Sequence, residues 1–146
     1  MDIKENITES NAKPEINFDD IKYATGRRKK SIARVWLKKG TGEIIVNGKK
    51  ILDYFKKANL QTAIFRPLTI AKRENEYDVR CSVKGGGLTG QAGAIIHGLA
   101  RAIVLHEPDL KPTLKKENLT TRDSRAVERK KYGRRKARRS FQFSKR

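Results

Sequence analysis

A chain of 146 residues has room for one compact domain with extensions, and 36 % hydrophobic residues suffice for a small core. Thirty-five Lys and Arg against sixteen Asp and Glu leave a net charge of +19, a self-repulsion that makes a large polyanion the first suspect as partner. A lone Cys81 excludes an internal disulfide and a cysteine metal centre, and no window holds 18 consecutive apolar residues, which excludes a membrane span.

Residues 1–20 carry six acids against two lysines. This start has neither the basic opening nor the apolar stretch of a secretory signal, and an acidic flexible extension over 1–21 is expected. Gly26-Arg27-Arg28-Lys29-Lys30 then leads into a first strand, where Ala33, Val35 and Leu37 alternate with Arg34 and Lys38. Four successive cations at the edge of a rigid element suit a backbone of regularly spaced phosphates. Lys39-Gly40-Thr41-Gly42 reads as a turn that closes a hairpin with Glu43–Asn47. Asn47-Gly48 ends that strand, and Ile51, Leu52 and Phe55 begin a helix that continues in pieces to Phe65, ahead of Pro67.

Leu68–Lys72 reads as a third strand. A fourth has the cleanest alternation in the chain, with Tyr77, Val79, Cys81 and Val83 on one face and Asp78, Arg80, Ser82 and Lys84 on the other. Cys81 is therefore expected to be a buried, inert thiol. Glu74, Glu76 and Asp78 are flanked by Lys72, Arg73 and Arg80, a setting for ion pairs at a solvated hairpin rather than for a metal. His97 and His106 have no Ser/His/Asp or metal-ligand spacing around them and read as structural or surface residues.

Lys84-Gly85-Gly86-Gly87-Leu88-Thr89-Gly90-Gln91 lies between that strand and a helix. Exposed backbone N–H groups at a helix N-terminus suit an oxyanion, although glycines there also serve a tight turn and close packing. The Walker pattern fails, because no Gly-Lys-Ser/Thr closes the loop. The helix is expected from Thr89 to His106, with Leu88, Ala92, Ile95, Leu99 and Ile103 along its apolar stripe and Pro108 as its stop. A second helix, capped by Asp109, is expected to run to Asn118.

Residues 111–146 carry fifteen basic and three acidic residues, and from Arg129 onward there are ten basic residues and no acid. So few apolar groups cannot offset the entropy of ordering, so this arm needs a partner to acquire a shape. Six of the ten are arginines, whose planar fork grips phosphate oxygens. Tyr132, Phe141 and Phe143 are suited either to stacking on bases or to packing on a neighbour. Charge alone does not separate RNA binding from DNA compaction or an anionic membrane surface. The glycine loop keeps a small phosphoryl-transfer enzyme as the rival class.

Three blocks narrow the choice: Gly85 to Ala94 with Gly98-Leu99-Ala100-Arg101-Ala102, Thr25 to Val35, and Thr121 to Arg125 with Glu128 to Lys131 and the ending Phe141 to Arg146. Together they resemble the ninth small-subunit ribosomal protein family, of bacterial or organellar type, over about Lys22 to Arg146. The resemblance implies an α+β fold: a two-layer α/β core over 22–120, similar to the second domain of the fifth small-subunit ribosomal protein, with a left-handed βαβ crossover. It further implies a basic RNA-binding tail over 121–146. The implied role is a structural, non-enzymatic constituent of the small-subunit head, within a cytoplasmic or organellar ribosome. The implied partners are small-subunit ribosomal RNA, peptidyl-site tRNA and neighbouring head proteins, without cofactor, metal or membrane.

The expected ribosomal RNA contacts are Arg27, Arg28, Lys29 and Lys30, then Lys84, Gly85, Gly86, Gly87 and Gln91 of the loop. In the tail they are Arg122, Arg125, Arg129, Lys130, Lys131, Arg134, Arg135, Lys136, Arg138 and Arg139. Ser144, Lys145 and Arg146 match the family's tRNA-contacting ending. The chain departs from many members at Ile96, where they carry Arg, and in its longer acidic leader.

Overall fold

The computed structural model describes residues 20–145. Most of the acidic extension, and the expected contact at Arg146, lie outside the described residues. One mixed sheet runs in the order β1-β2-β5-β3-β4. Its strands are β1 (Lys22–Arg28), β2 (Ser31–Lys39), β3 (Ile44–Val46), β4 (Lys49–Lys50) and β5 (Tyr77–Lys84). Four helices accompany it: α1 (Ile51–Tyr54), α2 (Ala58–Ala71), α3 (Leu88–His106) and α4 (Lys111–Lys116).

The basic segment at 26–30 does not simply precede the first strand. It ends one strand and forms the turn to the next, since β1 and β2 pair antiparallel with Arg28 opposite Ser31 and Lys29-Lys30 between them. The hairpin expected between 33–38 and 43–47 does not form either, because β5 lies between β2 and β3, antiparallel to the first and parallel to the second. Asp78 decides this. Its Oδ1 accepts the backbone N–H groups of Thr41, Gly42 and Glu43 at 2.8, 3.0 and 3.1 Å, which fastens the 40–43 turn to β5. Partial burial opposes the charge, but those N–H donors still hold the Asp78 carboxyl below the usual carboxylate range. A second two-residue hairpin, Asn47-Gly48, with both residues at positive φ, joins β3 to β4.

Leu68–Lys72 is not a strand but the end of α2, and Pro67 sits inside that helix. An interior proline costs about 3 kcal/mol. Against it stand Ile64, Pro67, Leu68 and Ala71, all buried on one helical stripe, and full burial of each large aliphatic chain contributes about 1.5–3 kcal/mol. The stripe wins. Lys72, in the left-handed region at φ 56, ends the helix by returning its N–H to Leu68 and Thr69.

The alternation of β5 is as expected, with Tyr77, Val79, Cys81 and Val83 buried. They face α3, whose Ala92, Ile95, Leu99 and Ile103 are buried as well, whereas Leu88 at its first residue is 47 % exposed. By length and composition α3 resembles a membrane span, but half of it is buried inside the domain, as in a core helix. The helix expected from Asp109 to Asn118 is a 3-10 turn, Pro108–Leu110, followed by α4, and no side chain caps either. Leu114 and Leu119 are buried and close the core at the root of the tail. The parallel β3–β5 connection passes through α1 and α2, a βαβ unit. All helices of this core share one side of the sheet, so alternate residues of β1, β2 and β5 stay open.

α3 comes close enough to β1 for backbone to touch backbone. A Cβ on Gly26 would lie 1.9 Å from the Ala94 carbonyl oxygen and 2.3 Å from the Gly98 nitrogen. Glycine is the residue that permits this approach.

Candidate nucleic-acid interface

At the tip of the β1–β2 hairpin Lys29 and Lys30 are exposed, and Lys29 takes the uncommon φ of 52°. The glycine loop between β5 and α3 is pressed against this tip. Gly85 and Gly86 have φ of 74° and 63°, and a Cβ on them would lie 2.6 Å from the Lys30 carbonyl oxygen and 2.1 Å from the Ser31 hydroxyl. Ser31, buried, donates that hydroxyl to the Gly85 carbonyl at 2.9 Å. Gln91 Nε2 donates to the same carbonyl at 3.2 Å, while its Oε1 accepts the Tyr54 hydroxyl at 2.8 Å. Behind them Asn47 bonds both backbone groups of Val83, at 2.8 and 3.1 Å, and reaches Tyr54 at 3.3 Å.

This network holds the loop in one shape. Packing against Ser31 and Lys30 explains Gly85 and Gly86, whereas Gly87 has open space around it. No side chain caps α3, no acid lies in its first turn, and Lys84 to Thr89 are exposed. The result is a rigid, cationic ledge with free backbone N–H groups, a suitable seat for a phosphate oxygen.

A second joint ties the tail root to the same hairpin. The Arg27 N–H donates to His97 Nδ1 at 3.2 Å. Burial and the nearby Arg101 push the His97 pKa down, so the ring is a neutral acceptor at neutral pH. Asp123 receives Arg125 through Nη2 at 2.8 Å and through its backbone N–H at 3.0 Å, and it also forms an ion pair with Arg28. The hydrogen bonds from Arg125 first, and the guanidinium of Arg28 after them, hold the Asp123 carboxyl well below the usual carboxylate range. Arg28 Nη1 is buried and makes no hydrogen bond of regular geometry, so the Asp123 charge is what compensates it.

Beyond Asp123 the chain has no helix or strand through residue 145. Glu128 collects Lys131 at 2.9 Å and Arg138 at 3.0 Å. Among the described residues Arg129, Lys130, Arg134, Arg135, Lys136 and Arg139 make no ion pair. Tyr132 and Phe143 are 95 % and 88 % exposed. Exposed rings among unpaired cations mark a surface made for a partner.

A family model described as Ribosomal protein S9/S16 matches residues 26–146. The chain belongs to this family. As an S9/S16 ribosomal protein it is a structural constituent of the small subunit, with ribosomal RNA and ribosomal proteins as its partners. The family is generally structural rather than enzymatic, and the five-stranded sheet with its helices is consistent with an S9 domain.

In this S9/S16 chain the basic run Arg27–Lys30 and the loop Lys84–Gly87 form one continuous ledge, with Arg122 and Arg125 beside it at the tail root. The run Arg129 to Arg139 and the pair Ser144-Lys145 follow it without helix or strand. Several expected contact residues have their side chains engaged inside the protein: Gln91 braces the loop, Arg28 and Arg125 hold Asp123, and Lys131 and Arg138 hold Glu128. Sequence reasoning missed Ser31, Asn47, Tyr54 and Asp123 as positioning residues. Most of their partners are 36 or more residues away, so no local pattern announces them. The visible signal at Asp123 is an acid set among cations at the start of a basic tail. No group of three or more His, Cys, Asp or Glu among the described residues is arranged to hold a metal ion.

Proposed function

We propose that this protein fixes small-subunit head RNA with two cationic devices on one scaffold. The ledge Arg27–Lys30 with Lys84–Gly87 seats phosphates on the folded core, residues 22–120. The tail, residues 121–146, threads into RNA through Arg122, Arg125 and the run from Arg129 to Arg139, and its ending Ser144-Lys145-Arg146 reaches the peptidyl-site tRNA. Arg28 and Gln91 serve the contact mainly by holding tail and loop in place. The family's left-handed crossover is carried over to the β3–β5 connection. The observation that carries this reading is the Asp123 joint, which ties the root of the tail to the β1–β2 hairpin, with the exposed cations of the tail following it.

The test is the salt dependence of binding to small-subunit RNA. Each neutralised phosphate contributes about 0.7–0.9 to the slope of log affinity against log salt. Removing residues 129–146 is expected to flatten that slope by several units, and an unchanged slope overturns the tail's role. Removing only Ser144 to Arg146 is expected to leave subunit assembly intact and to shorten tRNA residence in the peptidyl site. Equal retention by mutant and parent subunits refutes the tRNA contact.

A further inference from the structure

On the sheet face turned away from the helices, Arg27 and Lys84 of the ledge stand at one end, and a separate aromatic patch lies two rows further along. One row crosses all five strands, with Tyr23 beside Trp36, Trp36 beside Arg80, Arg80 beside Ile45 and Ile45 beside Lys50. The Tyr23 and Trp36 rings lie 5.5 Å apart at 40°. Arg34, from the neighbouring row, places its guanidinium 5.1 Å from the Trp36 ring centre and 5.8 Å from that of Tyr23. Beside Trp36 runs a groove of about 590 Å³ that Ile45, Arg80 and Lys38 also line, within the size range of small-ligand clefts.

The charges on this face decide its partner. Arg34 and Arg80 make no ion pair among the described residues. The two acids that line the groove are already occupied: Asp78 takes the 41–43 N–H groups, and Glu43 faces Lys50 at 3.9 Å. Aromatic rings interleaved with free arginines suit a single-stranded nucleic acid, with bases on the rings and phosphates on the guanidinium groups.

We propose that this face is a second RNA contact, at which an unpaired base stacks on Trp36 while Arg34 and Arg80 hold the phosphates beside it. The inference rests on the RNA-binding role proposed above, but not on the tail or the ledge.

Trp36 is the chain's one tryptophan, so its fluorescence reports this face and nothing else. The full chain is titrated with a short adenine-rich single-stranded RNA, a fully paired RNA duplex and inorganic polyphosphate, with total binding followed separately by gel mobility. The single strand is expected to quench Trp36, while duplex and polyphosphate bind without quenching. Trp36→Ala is expected to weaken single-strand binding by about tenfold, as for loss of one stacked base. The double variant Arg34→Ala/Arg80→Ala keeps the reporter and lies at exposed positions. It is expected to lose the quenching at an unchanged melting temperature. Single-strand binding without quenching, equal quenching by polyphosphate, or undiminished quenching in the double variant overturns the proposal while leaving the tail's role intact. Failure of the chain to shift any RNA sinks both.

Discussion

Gly26→Ala tests the closeness of β1 to α3, on which the geometry of the ledge depends. The added Cβ would sit 1.9 Å from a carbonyl oxygen, 2.3 Å from an amide nitrogen and 2.8 Å from the Gly98 Cα. All three are backbone atoms, so no side chain can swivel aside. The helix has to retreat by more than about one ångström to restore ordinary contact, which loosens Ala94, Ile95 and Leu99 against the sheet. Overpacking costs about 1–3 kcal/mol, and rigid neighbours place this site near 3. At roughly 4 °C per kcal/mol for a domain of this size, the melting temperature falls by about 12 °C. Thermal unfolding followed by far-ultraviolet circular dichroism measures it. Gly87→Ala is the control: nothing lies within 4 Å of its added Cβ, and the loss of a glycine cap there costs under about 1 kcal/mol. A Gly26→Ala protein that melts within about 2 °C of the parent refutes the close-approach argument. So does a Gly87→Ala protein that is equally damaged.

Asp123→Asn is expected to release the tail root, read as faster tryptic cleavage after Arg122 and Arg125. Because the folded protein depresses the Asp123 pKa, the joint is intact above about pH 5 and fades as pH falls below the ordinary carboxylate value of about 4. The Arg125 amide NMR shift, which reports its bond to Asp123, should therefore titrate in acid in the parent and not in the variant; a parent-like titration in the variant refutes the joint. The Cys81 thiol is 2 % exposed and pushed up to about 12 by burial. Alkylation at about pH 8 should leave it untouched in the folded chain and modify it in denaturant, and rapid labelling without denaturant contradicts the burial.

Some of this architecture is visible in the residues alone. β5 and α3 each bury one face against the other, so Tyr77 to Val83 and Ala92 to Ile103 carry clear periods of two and of about 3.6. β1 has no such period, because its inward positions are Ala24 and Gly26, chosen for closeness to α3 rather than for bulk. Leu68 and Ile70 fit a strand as well as a helix, and packing of the longer stripe from Ile64 to Ala71 settles the matter. The false hairpin came from judging a turn by its neighbours, when its true partner, Asp78, lies 35 to 37 residues away. The functional surface divides in the same manner. Runs of cations are visible in any window, whereas the bonds that aim them, such as Ser31 to Gly85 across 54 residues, exist only after folding.

The strand order carries a consequence for how the protein is made. A chain emerging from its N-terminus can complete the β1–β2 hairpin as soon as Lys39 is synthesised, but β3 then has no central neighbour until Lys84 has followed. For that interval the nascent β3–β4 hairpin exposes an unpaired edge, and insertion of β5 between two waiting halves is a single late, long-range step. Slow decoding between Gly48 and Tyr77 lengthens the interval, so the pace of synthesis across this stretch sets how long the unfinished sheet is open to aggregation.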